Sequence, residues 1–269
     1  MERKERMTEH DTKESSMRIA VVTGASSGMG RECAIQLADR FSGLEEIWLV
    51  ARRLDKLKDL ERELPVPVRC FALNLSDETS FSVLEETLQE EKPNVKWLVN
   101  AAGFGYIGKV GEVSRQRTQG MVDVNCRALV GMTQIILPYI SDNSRILQFA
   151  SAAAFLPQPG FAVYAATKSF VLSYSRALGA ELASRNIVVT AVCPGPVKTE
   201  FFDLAEQTGK VALYKRLVMA NPRKVVSKAV RECMMGKEVS VYGIWMQAFW
   251  ILAKILAHTW LLRIMRWLA

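Results

Sequence analysis

From residue 18 onward, short apolar runs alternate with longer stretches whose apolar residues recur at helical spacing. The runs at 18–23, 47–52, 68–73, 97–100, 145–150 and 187–193 read as buried strands. The stretches at 29–40, 54–63, 77–91, 115–140 and 165–184 read as helices. Strand and helix in alternation imply parallel strands with crossover helices on both faces. Right-handed crossovers make that a doubly wound sheet, an α/β fold whose ligand crevice lies at the carboxyl ends of the strands. No repeat or low-complexity linker interrupts the pattern, so one domain is expected over 18–240. The length of 269 residues suits a single core of this class. Residues 1–17 are expected to be a flexible polar arm; five acids and five bases fall within residues 1–18.

The carboxyl tail, 241–269, breaks the alternation. Residues 241–262 hold one formal charge, Lys254, and no acid follows Glu238. That stretch approaches the length of a membrane span. Yet Gln247, Lys254 and His258 fall on one helical face, with Phe249, Leu256, Trp260 and Trp267 opposite. The pattern is an amphipathic helix. It suits packing on the protein first, over the substrate pocket or a subunit seam. A peripheral contact with an anionic membrane is the second reading, and a span the third.

Composition narrows the class. Hydrophobic residues make up 49% and charged residues 23%, which excludes a mostly disordered or collagen-like chain. The net charge is +7, but the bases are spread along the chain and no nucleic-acid motif accompanies them. Cys33, Cys70, Cys126, Cys193 and Cys233 stand singly, and the histidines are His10 and His258. No metal site is expected, and the thiols suit a reducing cytoplasm, with membrane association left open.

The first strand runs into TGASSGMG, Thr23 to Gly30, and then a helix. Glycines placed so let the backbone turn sharply and approach a pyrophosphate at the helix N-terminus. Asn100, Ala101, Ala102 and Gly103 end the fourth strand, and Asn125 lies in the helix after it. Ser151 follows the fifth strand, and Tyr164 and Lys168 form a YxxxK thirteen residues later. Pro194, Gly195, Val197 and Thr199 lie in the PGPVKT that closes the sixth strand. In this order and spacing the chain resembles the short-chain dehydrogenase/reductase family, in its TGxxxGxG and YxxxK subgroup, over about 18–230. The resemblance implies a Rossmann-type fold and an oxidoreductase that binds a nicotinamide dinucleotide. It carries the cofactor contacts to Gly24, Ser26, Ser27, Gly28, Met29, Gly30, Leu75, Asn100, Ala101, Gly103, Tyr164, Lys168, Pro194, Gly195, Val197 and Thr199. Two positions depart from the family pattern. NNAG reads NAAG, and the acid usual after the third strand is Asn74, whose side-chain oxygen could accept from an adenine amino group.

The catalytic set implied is Asn125, Ser151, Tyr164 and Lys168. Four residues apart on a helix, Tyr164 and Lys168 share a face. A phenol is a poor base at neutral pH, and a nearby ammonium together with an oxidised nicotinamide lowers its pKa. Tyr164 then exchanges the proton, Ser151 holds the reacting oxygen, Lys168 binds the ribose, and Asn125 holds a water that relays protons. NAD sites carry an acid at the end of the second strand. Here the place is taken by Arg52 and Arg53, which points to NADP(H), with Arg52 as the main contact to the 2′-phosphate.

The substrate wall is expected from 152–161 and from the segment after Thr199, including Phe201, Phe202, Leu204, Leu213, Tyr214, Leu217 and Met219. Its apolar character suggests a bulky ketone or secondary alcohol of steroid, bile acid or fatty acyl type. A homodimer or homotetramer through helices 115–140 and 165–184 is implied by the resemblance. A non-catalytic cofactor-binding sensor or a membrane-associated scaffold on the same fold is the alternative. The intact proton-transfer set argues against it.

Overall fold

The computed structural model describes residues 16–209 and 219–255. Residues 1–15 of the polar arm, Leu213, Tyr214 and Leu217, and the tail beyond Ile255 with His258, Trp260 and Trp267 lie outside the described residues. Seven parallel strands form one sheet: β1 (Arg18–Thr23), β2 (Glu46–Ala51), β3 (Val68–Ala72), β4 (Asn94–Asn100), β5 (Ile140–Phe149), β6 (Val188–Val192) and β7 (Val239–Ser240). Their order across the sheet is β3-β2-β1-β4-β5-β6-β7. The helices are α1 (Gly28–Arg40), α2 (Leu54–Glu63), α3 (Ser82–Glu91), α4 (Arg115–Val122), α5 (Ala128–Ile136), α6 (Ala162–Glu181), α7 (Phe201–Ala205), α8 (Pro222–Met234) and α9 (Ile244–Ile255).

The strands read as unbroken apolar runs because both faces of a parallel sheet are covered. Ala20, Val22, Leu49, Val99 and Leu147 face one layer, under Leu37 of α1 and Val226 and Val230 of α8. Ile19, Val21, Trp48, Leu98 and Ile146 face the other, under Leu84 of α3, Met132 of α5 and Leu178 of α6. β1 pairs with both β2 and β4, so the chain's direction of winding reverses between β1 and β4. That reversal splays the connections apart and opens a crevice at the carboxyl ends of the strands.

The expected helix 115–140 is broken into α4, a wide turn at Asp123–Arg127 and α5. In the turn the Ala128 amide bonds back to the Asp123 carbonyl, five residues earlier. Pro138 lies in a tight turn at Leu137–Tyr139, where its ring and missing amide stop the helix, and β5 begins at Ile140. The expected helix 77–91 opens with a tighter turn at Glu78–Phe81, where Asp77 accepts from the Thr79 amide. Three elements are additional: the short α7, α8 and β7. α8 opens on Asn221, which accepts from the Arg223 amide at 2.8 Å, with Pro222 in the first turn. β7 is two residues long and is tied to α8 by Ser240, which donates to buried Glu232 at 2.7 Å.

Beneath the crevice, Thr133 of α5 joins two strands. Its hydroxyl donates to the Leu129 carbonyl at 2.7 Å. It accepts from the Asn100 amide group of β4 at 3.1 Å and the Gln148 amide group of β5 at 3.2 Å. Thr133→Val keeps the volume but leaves two buried donors unmatched, a loss of about 2 kcal/mol. Urea unfolding should show that loss, and Thr133→Ser should restore most of it.

Candidate active site

The turn after β1 is too tight for side chains. Gly24 and Gly28 have φ of +67° and +56°. A Cβ on Gly24 would lie 2.7 Å from the Ala102 amide nitrogen, and one on Gly30 would overlap the Gly24 carbonyl. Ser27, at the start of α1, makes no side-chain cap. The amides of the first helical turn therefore remain free of a capping side chain and point into the crevice. Amides at a helix N-terminus, with the helix dipole behind them, suit an anionic group such as a pyrophosphate. The residues present fit the dinucleotide that the sequence implies.

The expected catalytic side chains converge at the ends of β4, β5 and α6. Lys168 is buried and donates to the Phe149 carbonyl at 2.8 Å. Its ammonium nitrogen is 5.7 Å from the centre of the Tyr164 ring. A Cβ on Gly103 would sit 3.2 Å from that nitrogen, so the glycine keeps the space beside it clear. Tyr164 is buried and stacked on Phe161, with ring centres 4.3 Å apart. Burial pushes its hydroxyl up to about 12, a hydrogen bond with Ser151 pulls the other way, and Cys193 adds to the rise. Burial likewise brings Lys168 down to about 8. The lowered phenol that the sequence suggested is therefore not found with these residues alone. Desolvation outweighs the hydrogen bond, and the ammonium is itself destabilised by the same burial.

The buried Asn125 side chain is hydrogen-bonded to two elements. Its side-chain oxygen accepts from the Phe104 amide at 3.0 Å. Its amide group donates to the Phe104 carbonyl at 2.9 Å and to the Thr167 hydroxyl at 3.1 Å. Both amide protons are used, so this side chain clamps the β4 loop to α6. The wide turn at Asp123–Arg127 is what aims it inward, and turns of this kind recur at functional sites. Asn100 is buried against Thr133 and does not reach the crevice wall. The Asn74 oxygen offered to adenine already accepts from the Ser76 hydroxyl at 2.8 Å and amide at 3.3 Å.

One continuous cleft of about 1410 Å³ runs from the glycine turn past Ser151 and Tyr164. Ser26, Ser27, Met29, Arg52, Arg53, Leu75, Ala101, Pro194, Gly195, Val197 and Thr199 all line it. Arg53 is engaged: it donates to Glu200 at 2.8 Å and to the Ser26 hydroxyl at 3.2 Å. The hydrogen bond from Arg53 holds the Glu200 carboxyl below its usual range. This partly exposed pair links the glycine turn to the start of α7. Arg52 is exposed on the same wall. Beyond Tyr164 the walls are apolar, with Phe104, Phe161, Phe201, Met246 and Phe249.

The short chain dehydrogenase family model matches residues 18–209 of this sequence. The chain belongs to the short-chain dehydrogenase family. It is 34% identical over 206 residues to sulfoacetaldehyde reductase 2 of Chromohalobacter salexigens, across 73% of this chain and 81% of that protein. A short-chain dehydrogenase from Sphingobium yanoikuyae in complex with NADPH is 25% identical, with a TM-score of 0.75, across 88% of this chain and 92% of that one. A 3-ketoacyl-(acyl-carrier-protein) reductase from Brucella melitensis complexed with NADH is 26% identical, with a TM-score of 0.71, across 85% and 97%.

Sequence reasoning passed over several residues at this dehydrogenase's cleft. Thr167 holds Asn125, and Glu200 holds Arg53; the first sits inside YxxxK and the second directly follows PGPVKT, but partner choice depends on tertiary placement. Tyr242, Trp245 and Met246 reach the cleft from the tail. The described part of the tail packs on the protein: Phe249 and Trp250 lie 6.3 and 6.1 Å from Phe155, and Met246 presses on Gly195. Of the expected polar face, Lys254 is exposed, Gln247 is half-buried and His258 lies outside the described residues. Gln247 donates to the Val241 carbonyl at 3.1 Å, and Lys254 lies 3.9 Å from the Trp250 ring centre.

The Lys168 shift has a measurable consequence. Folded, the group loses its proton near pH 8, and unfolded near its ordinary 10.5. Between those values the unfolded chain binds more protons, so this group makes stability rise with pH. Thiol titrations oppose it, and those of Cys33, Cys70 and Cys233, which the amine does not influence, cancel when parent and variant are compared. Denaturant midpoints from pH 7.5 to 10 should therefore rise more, or fall less, in the parent than in Lys168→Met. Parallel pH profiles would show that the buried amine is not depressed.

Proposed function

We propose that this short-chain dehydrogenase uses NADP(H) to interconvert a ketone and a secondary alcohol on a hydrophobic substrate. The observation that carries the proposal is the Ser151 and Tyr164 pair on the wall of a cleft whose far side is apolar. The cleft's 1410 Å³ exceeds the roughly 300–1,000 Å³ of an ordinary small-molecule site, leaving room for a dinucleotide and a bulky partner. Among the described lining residues the cations are Arg52 and Arg53, both at the glycine-turn end. A small anionic aldehyde, as in the sulfoacetaldehyde reductase, would want a cation near Ser151. A steroid, bile acid or fatty acyl ketone suits Phe104, Phe161 and Phe249 better.

When bound, the nicotinamide supplies or accepts the hydride. Tyr164 keeps its proton at neutral pH and gives it to the carbonyl oxygen during reduction. Ser151 hydrogen-bonds the same oxygen and fixes its position. Lys168 faces the ring and stabilises the phenolate left behind. Asn125 keeps the β4 loop, and hence Gly103, in place beside Lys168. The preference for NADP(H) rests on Arg52, free of ion pairs among the described residues, and on the lack of an acid at Ala51, Arg52 and Arg53. The exposed face of α6, with Ala166, Phe170, Ser173 and Ala177, suits close helix packing in a homodimer or homotetramer.

A panel of steroid, bile acid and acyl ketones with NADPH, followed by absorbance, tests the substrate class; turnover confined to small polar aldehydes would overturn it. Tyr164→Phe should lower turnover by about 10²-fold or more with NADPH binding intact. Near-normal turnover would remove Tyr164 from proton transfer. Arg52→Asp should weaken NADPH and raise the relative use of NADH, because a carboxylate repels the 2′-phosphate and accepts from ribose hydroxyls. A parent enzyme that already prefers NADH in kcat/KM would show that Arg52 does not read the phosphate.

A further inference from the structure

We propose that α9 docks this protein on the surface of an anionic lipid bilayer. The sequence sets packing on the protein against contact with a membrane, but the structure makes these two sides of one helix. Met246, Phe249, Trp250 and Ala253 form or pack against the core beside Phe155. On the other side, Ile244, Trp245, Ala248, Ile251, Leu252 and Ile255 are exposed. These positions recur every three or four residues and form one apolar stripe. The exposure is large: Ile244 is 81%, Trp245 87% and Ile255 74% accessible. A stripe of six apolar residues along three turns is unlike the scattered apolar residues of an ordinary surface.

Charge selects the occupant. Lys254 borders the stripe, seated over Trp250. The chain beyond Ile255 adds Arg263 and Arg266, and no acid follows Glu238 to the end of the sequence. A second copy meeting this face about a two-fold axis would bring like charges together. An anionic lipid surface instead offers apolar depth for the stripe and counter-charge for its borders. Tryptophan suits that boundary, where an apolar ring and a polar N–H meet different media. No helix among the described residues is long and apolar enough to cross a membrane. One side of α9 is held against Phe155, so the contact proposed is made by its other side. Trp245 belongs both to the stripe and to the cleft wall, so docking sets the cleft beside the lipid. The proposal stands whether or not the substrate is hydrophobic.

The test is co-sedimentation of the full chain with phosphatidylglycerol-containing vesicles and with pure phosphatidylcholine vesicles, at low and high salt. Binding should favour the anionic vesicles by about tenfold or more and weaken with salt. Ile251→Glu with Ile255→Glu changes exposed residues outside the cleft. It should cut vesicle binding by at least about tenfold while leaving the circular dichroism and the melting temperature unchanged. Binding equal on both vesicle types, or absent from both, would overturn the proposal. So would a double variant that binds vesicles as the parent does. A parent that ignores vesicles but loses a subunit in sedimentation equilibrium when the double variant is made would reassign the stripe to a contact between copies.

Discussion

Lys168 carries its amine into a buried site where no carboxylate is among the groups acting on it, and the surrounding structure is arranged around that cost. Its hydrogen bond goes to a main-chain carbonyl at the end of β5, so its place depends on where that strand stops. A Cβ at Gly103 would crowd both the Lys168 nitrogen, at 3.2 Å, and the Asn125 side-chain oxygen, at 2.9 Å. Asn125 ties the same loop to α6, the helix that carries Lys168 and Tyr164. Cys126 and Cys193 lie near enough to feel its charge, yet burial pushes their thiols up to about 11 and about 12, so they remain neutral neighbours. A misplaced strand end would thus leave a buried donor unmatched, which makes the chemistry as exacting about the sheet as the core is.

The cleft combines ends of different character. At the glycine turn, backbone amides and two arginines gather positive potential on an otherwise tight main chain. Past Ser151 the walls turn aromatic, and their last part is supplied by a helix that follows β7. The short β7 is worth having because it places that helix: Ser240 anchors it to Glu232, and the chain then turns at Gly243, with φ of +90°, into α9.

Much of this was legible in the sequence because it is local. The alternation of apolar runs gave β1 to β6, since buried strands of a parallel sheet need apolar residues on both faces. The glycine turn and the YxxxK spacing gave the chemical centre, since steric limits and helical period act over a few residues. What stayed hidden depends on distant partners. Asn125 was found, but its bonding to Phe104 and Thr167 follows from a turn that no propensity marks. The hold of Ser76 on the Asn74 oxygen is the exception: it is local, and the Asn-x-Ser spacing could have shown it. α8 could have been read, for Asn221 and Pro222 are a start signal. β7 could not, for two residues carry no period.

The pairing of β1 with strands on both sides also sets an order of assembly. Val21 sits between Trp48 on one edge and Leu98 on the other. The first neighbour follows closely in the chain, while the second arrives only after α2, β3 and α3 have been made. As the polypeptide emerges from its N-terminus, the open edge of β1 waits for β4 with its amides and carbonyls unpaired. Closing that long loop is entropically slow, and an unpaired parallel edge invites pairing with other chains. β1, an interior strand of the finished sheet, is therefore an open edge until β4 has been made.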